Sequence, residues 1–310
     1  MSHILFSTRS SLILAEKIAS SYDEALGTIC FLEFKDGEYE PYFDESIRGA
    51  NVFIIGGTFP PSDNLMELLL ICDAAKRSSA YNITLLMPYY GWGRQDRKEK
   101  LRGSIGAKLV ANLIVAAGAS RVIVMDLHTN QIQGFFDIPV DHIYASNIFI
   151  GYLQLMKSKR KNLTIASTDL GGAKRAKSYA SYLETDVIIC YKERKKANEI
   201  ENMNCIGEVK NKNVIFIDDM VDTAGTLVIA ANFIKKGACS VRALSTHPVL
   251  SENANEKIET SFLDELVVTD SIPFKNKLSS KIKVLSCATI FSDVIHLVHN
   301  KESLSKYFFI

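Results

Sequence analysis

The sequence predicts an α/β protein of two similar lobes, each a mainly parallel sheet flanked by helices. Three observations carry that expectation. Short runs rich in Val and Ile recur at 52–55, 83–87, 122–125, 163–166, 187–190, 214–217 and 241–244. They are apolar on both faces, the pattern of strands buried in a parallel sheet. Helical patterns lie between them. One covers 65–75, with Ser62 or Asp63 as its N-cap, and another covers 227–236, closed by Gly237 at the C′ position. Strand and helix in alternation demand right-handed crossovers. Finally, 52–89 and 214–247 both read strand, polar loop, helix, short link, strand. The 310 residues suit two domains of about 150 residues each. A divide ahead of the basic stretch 157–161 gives an N-terminal lobe 1–148 and a C-terminal lobe 149–310, whose cleft is the expected ligand site.

Composition narrows the function. Hydrophobic residues make up 47% and charged residues 23%, with a formal charge of +1. That balance argues against a nucleic-acid partner, which draws a basic excess. No apolar stretch approaches the roughly 18 to 20 residues of a membrane span. The six cysteines are scattered without a C-x-x-C pair, so neither disulfides nor structural zinc are expected. With no signal-peptide pattern at the N-terminus, the expectation is a reduced, cytoplasmic protein.

The most informative stretch is 214–226, where an apolar strand ends in Asp218 and Asp219 and a small-residue loop opens into a helix. Ligands of open α/β sheets sit beyond the carboxyl ends of strands. Thr223, Ala224, Gly225 and Thr226 offer backbone N–H groups, hydroxyls and a helix N-terminus, which favour a phosphate. Asp218 and Asp219 suit the vicinal hydroxyls of a ribose and would repel the phosphate, so the acids hold the sugar and the loop holds the phosphate. This segment, with Asp222, resembles the phosphoribosyl diphosphate motif of the phosphoribosyltransferase superfamily.

The rest of the chain resembles ribose-phosphate diphosphokinases of the phosphate-activated class nearly end to end. Phe34, Asp36, Gly37 and Glu38 match an F-x-DGE element that reaches the ATP of a neighbouring subunit; Asp63-Asn64-Leu65-Met66-Glu67-Leu68 matches a helix start. Arg94, Gln95, Asp96 and Arg97 match a nucleotide-binding segment. Asp126-Leu127-His128 and 131–136 match the DLH and QIQGFF pair; Asp169, Gly171 and Gly172 stand at the diphosphate loop; 192–198 match the catalytic segment. The resemblance implies two tandem phosphoribosyltransferase-like lobes. It implies transfer of diphosphate from Mg-ATP to ribose 5-phosphate, releasing AMP, with Mg²⁺ as cofactor. His128 and Asp169 are the implied metal ligands. Magnesium prefers oxygen, which leaves His128 to act in part through a water or the triphosphate.

Physical chemistry agrees with those roles. Diphosphoryl transfer needs alignment and cancellation of charge more than covalent work. Lys192 and Arg194 are i and i+2 just past an apolar run, so both project to one side of an extended segment. Lys192 is the expected catalytic cation, and Arg194 assists at the phosphates of ATP and ribose 5-phosphate. The basic loop 94–102 reads either as a nucleic-acid patch or as a lid over ATP phosphates; near-neutral charge and the resemblance favour the lid. No G-x-x-x-x-G-K-[ST] is present, which excludes a Walker-type kinase. His3, His142, His247, His296 and His299 are expected to be structural.

The chain departs from the family pattern at Gly103-Ser104 in the lid, implying a more flexible loop, at Gly56-Gly57, and at Thr168, where Pro is usual. The family works as hexamers, and its phosphate-activated, ADP-inhibited members hold an anion between subunits. Ser46, Arg48, Ser78, Ser79, Ser303 and Ser305 fall at comparable places. Two rival readings share the ribose site: a phosphoribosyltransferase, and a non-catalytic regulatory relative.

Overall fold

The computed structural model describes residues 3–193 and 202–308. The chain divides into two compact units. The first holds residues 3–144, 271–273 and 287–308. In chain order it begins β1 (His3–Ser7), α1 (Leu12–Tyr22), β2 (Ile29–Glu33), β3 (Tyr39–Phe43), β4 (Asn51–Ile55), α2 (Asp63–Arg77), β5 (Asn82–Met87), α3 (Gly106–Ala117), β6 (Arg121–Met125) and β7 (Val140–Ile143). Five strands form one parallel sheet in the order β1-β4-β5-β6-β7, while β2 and β3 pair antiparallel as a separate hairpin. Val52 to Ile55 are all buried, as expected of a strand covered on both faces. Phe6, Ile54, Leu68, Ile71, Leu85 and Val122 belong to one core.

The second unit holds residues 145–270 and 274–286. It runs α4 (Ser146–Lys159), β8 (Leu163–Ser167), α5 (Ala173–Leu183), β9 (Val187–Glu193), β10 (Asn202–Ile206), β11 (Asn213–Val221), α6 (Gly225–Ile234), β12 (Ser240–Pro248), α7 (Ala254–Thr260), β13 (Glu265–Thr269) and β14 (Ile282–Leu285). Its sheet has the order β10-β9-β8-β11-β12-β13-β14, parallel except where β10 meets β9. The two strand–loop–helix–strand units read from the sequence are present as β4-α2-β5 and β11-α6-β12.

A lobe running unbroken from 149 to 310 is not what the packing shows. After β14 the chain returns to the first unit, where α8 (Ala288–His299) packs against α1. The reason is the apolar face of α8: Phe291, Val294 and Ile295 are fully buried. The His3 and His299 rings meet at a tilt, with centres 4.1 Å apart, and the Tyr144 N–H donates to the Tyr307 carbonyl at 3.2 Å. A second correction concerns the thiols. Cys190 and Cys205 face each other directly across β9 and β10 and are joined in a disulfide. Sequence spacing did not reveal this because β10, a half-exposed return strand, was not foreseen. Among the described residues no helix is long and apolar enough to cross a membrane.

Candidate active site

In the second unit, β11 continues to Val221, four residues beyond the apolar run, so Asp218 and Asp219 lie within the strand and not after it. They emerge because the neighbouring strand stops: β8 pairs with β11 only as far as Phe216, whereas β12 follows β11 to Val221. Where β8 leaves the ladder, Thr168 takes over, its hydroxyl donating to Asp218 Oδ2 at 3.0 Å. The departure from Pro at this position thus adds a hydrogen bond to the acid pair. The Asp219 N–H donates to Asp218 Oδ1 at 2.9 Å. Burial pushes the Asp218 carboxyl up to about 8, and the charge of Asp219 and of Asp169 pushes the same way; the Thr168 hydrogen bond opposes them. At neutral pH the acid pair therefore retains a proton. A carboxyl beside a carboxylate offers both a donor and acceptors, which matches a vicinal diol.

The loop that follows is held by its flanks. Ser251 donates through its hydroxyl to the Asp222 carboxylate and through its N–H to the Asp222 carbonyl at 3.2 Å. Lys257 Nζ donates to the Thr223 carbonyl at 3.2 Å. Ala224 adopts a left-handed conformation (φ 58°) and turns the chain into α6, whose first residue is Gly225. The first-turn N–H groups of a helix have no intrahelical acceptor and carry the positive end of its dipole. Acids on the strand and an anion-favouring helix start are thus displaced from one another along the loop.

The loop at 169–172 is braced on itself. Ser167 donates to the Asp169 carbonyl at 2.6 Å, and the Gly172 N–H donates to Asp169 Oδ1 at 2.8 Å. Lys192 lies in β9, its backbone paired with Met203. Arg194 lies outside the described residues.

In the first unit, Arg94, Gln95, Asp96 and Arg97 occupy the loop between β5 and α3. Asp96 Oδ2 accepts from the Thr129 hydroxyl at 2.7 Å and from Gln131 at 3.3 Å, which ties that segment to the loop carrying His128. His128 is exposed at the end of β6, just after the buried Asp126. The Leu127 N–H donates to His142 Nε2 at 2.9 Å, so His142, expected to be structural, braces the residue next to His128. Phe34, Asp36, Gly37 and Glu38 form the β2–β3 loop, closed by the Phe34 N–H to the Glu38 carbonyl at 2.8 Å. Arg48 donates to Ser79 at 3.2 Å, and Ser303 to Ser305 at 3.1 Å. Among the described residues no group of three or more His, Cys, Asp or Glu is arranged to hold a metal ion.

Known proteins match nearly the whole chain. The N-terminal domain of ribose phosphate pyrophosphokinase matches residues 3–118, and the phosphoribosyl synthetase-associated domain matches 196–309. The ribose-phosphate pyrophosphokinase of Porphyromonas gingivalis is 50% identical over 98% of this chain and 97% of its own length. That of Campylobacter jejuni is 51% identical over 98% of each. The crystal structure of phosphoribosylpyrophosphate synthetase from Mycobacterium smegmatis superposes with a TM-score of 0.91 at 35% identity, covering 97% of this chain and all of its own. By sequence, by fold and by full-length coverage, the chain belongs to the ribose-phosphate pyrophosphokinase family.

Proposed function

We propose that this enzyme transfers the β,γ-diphosphate of Mg-ATP to the 1-hydroxyl of ribose 5-phosphate, giving 5-phosphoribosyl 1-diphosphate and AMP for nucleotide biosynthesis. The observation that carries the reading is the β11–α6 junction, where two adjacent acids within the strand precede a small-residue loop and a helix start. Asp218 and Asp219 take the ribose hydroxyls, while Asp222, Thr223, Ala224, Gly225 and Thr226 seat the 5-phosphate. Asp169, Gly171 and Gly172 face the diphosphate. Arg94, Gln95, Asp96 and Arg97 hold ATP, with Phe34, Asp36, Gly37 and Glu38 completing the nucleotide site of a neighbouring subunit in a homohexamer. Lys192 and Arg194 are the cations that offset charge on the phosphate oxygens in the transition state.

His128 and Asp169 would hold Mg²⁺. His128 belongs to the first unit and Asp169 to the second, and a single carboxylate or imidazole suits an ion that arrives with the nucleotide, leaving its other positions to phosphate oxygens and water. When bound, the ion supplies charge neutralisation at the phosphates. The enzyme works in the cytoplasm on this reading, with phosphate and ADP acting through Ser46, Arg48, Ser78, Ser79, Ser303 and Ser305.

The test is AMP release from purified protein with Mg-ATP, with and without ribose 5-phosphate, beside Lys192→Ala. Sugar-dependent AMP that falls by about a thousandfold or more in the variant supports the reaction and its cation. No AMP, with ribose 5-phosphate still bound, would point to a non-catalytic relative or a phosphoribosyltransferase.

A further inference from the structure

An ionic and aromatic cluster surrounds Arg9, in the turn between β1 and α1. Its backbone N–H donates to Glu67 Oε1 at 2.6 Å, its Nε–H to Glu67 Oε2 at 2.7 Å, and its Nη1 to Glu33 Oε1 at 3.0 Å. The guanidinium carbon lies 4.2 Å from the Phe31 ring centre and 4.8 Å from that of Tyr39. Glu67 belongs to α2 and is only 6% exposed, so one end of the cluster is anchored in the body of the unit. Phe31 and Glu33 belong to β2, and Tyr39 to β3. Tyr39 also donates its hydroxyl to the Asp63 carbonyl at the start of α2, at 3.2 Å.

The position of these contacts is what matters. Glu33 immediately precedes the loop 34–38 and Tyr39 immediately follows it, so one side chain grips both ends of that loop. Among the described residues β2 and β3 pair only with each other, and a two-stranded hairpin has little stability unless it packs on something. A planar fork that bonds carboxylates on two edges while stacking on aromatic faces is a geometry lysine does not supply. A cleft of about 590 Å³ runs beside the cluster, lined by Arg9, Glu33, Phe34, Glu38, Tyr39 and Asn64 among others.

We propose that Arg9 is a positioning residue for nucleotide binding: it fixes the angle at which loop 34–38 presents Phe34 and Glu38 to ATP. This rests on the nucleotide role of that loop proposed above. Nothing in the pattern of 9–11 announced it, because Arg9 acts through partners that are distant in sequence.

The experiment compares full-length wild type, Arg9→Met, Arg9→Met with Glu67→Gln, and Phe34→Ala by steady-state kinetics on both substrates. The double variant avoids leaving Glu67 as an uncompensated buried charge, should Arg9→Met fold poorly. The expected result is a KM for Mg-ATP raised roughly tenfold in both Arg9 variants, with kcat and the KM for ribose 5-phosphate within about twofold of wild type. A rise in both KM values together, or a fall in melting temperature with an unchanged KM for Mg-ATP, would make the cluster purely structural and overturn the proposal. If Phe34→Ala raises the KM for Mg-ATP while the Arg9 variants do not, the proposal alone fails. Should Phe34→Ala also leave it unchanged, the nucleotide role of the loop fails with it.

Discussion

The loops after β4 and β11 leave comparable strands and enter comparable helices, yet they spend their chemistry differently. After β4 the chain bonds to itself. The Thr58 N–H donates to the Tyr89 carbonyl at 3.2 Å, and the Gly91 N–H donates to the Thr58 hydroxyl at 2.7 Å. A Cβ on Gly56 would stand 2.8 Å from the Thr8 methyl and 2.9 Å from Leu68, which explains why a larger residue is not found there in this chain. After β11 the acids stay within the strand, where Thr168 bonds Asp218, and the loop is braced from outside itself by Ser251 and Lys257, while Ala224 accepts a left-handed backbone, at a cost of about 1 kcal/mol, to start α6 where it does. The lesson is that a strand–loop–helix unit supplies a location, and the loop decides whether it becomes a joint or a binding site.

The contrast can be broken from either side. The largest effect is expected in the self-bonded loop. A Cβ at Gly91 would lie 2.0 Å from the Thr58 carbonyl oxygen, a backbone atom that cannot swing aside. Gly91→Ala should therefore destabilise the protein by about 3 kcal/mol, read as a lowered urea midpoint with an unchanged slope.

The next effect belongs to the acid pair. In the folded chain the Asp218 carboxyl keeps its proton up to about 8, from an ordinary value of 3.8. Between those values the folded state holds a proton that the unfolded chain has released, so stability from this group falls as pH rises. It is fully present below about 4 and fully lost above about 8. Asp218→Asn should remove that dependence. Relative to wild type, the ligand-free variant gains stability steadily as pH rises from 5 to 8, by no more than about 1.4 kcal/mol per pH unit. Parallel melting curves of the two proteins across that range would show the acid pair to be solvated and unstrained instead.

The smallest effect is at Thr168. Its hydroxyl donates one hydrogen bond to Asp218, so Thr168→Val should cost about 1 kcal/mol at the sugar site. That is roughly a fivefold weaker binding of ribose 5-phosphate. Binding of Mg-ATP measured alone should not change; an equal loss for both ligands would mean that Thr168 serves the fold at large.

How much of this was legible beforehand follows from the physics of each part. The seven apolar runs were legible because strands buried on both faces leave an unbroken signature, and all are strands of the two sheets. The hairpin β2–β3, β10 and β14 were not, since strands exposed on part of their length carry no continuous apolar run. The β11–α6 junction was legible because acids, small residues and threonines coincide within a few positions. Arg9, Thr168 and His142 were illegible for one shared reason. Each acts through a partner far along the chain, at separations of 58, 50 and 15 residues respectively.

The return of α8 to α1 has a consequence for how the protein is made. Leu14 and Ile18 of α1 face a core that includes a helix beginning at residue 288. A nascent chain that has emerged as far as β7 has translated all five strands of the first sheet but not the helix that covers α1. The first unit can therefore complete only after the second unit has been synthesised, and until then the face of α1 that meets α8 has no helix to cover it.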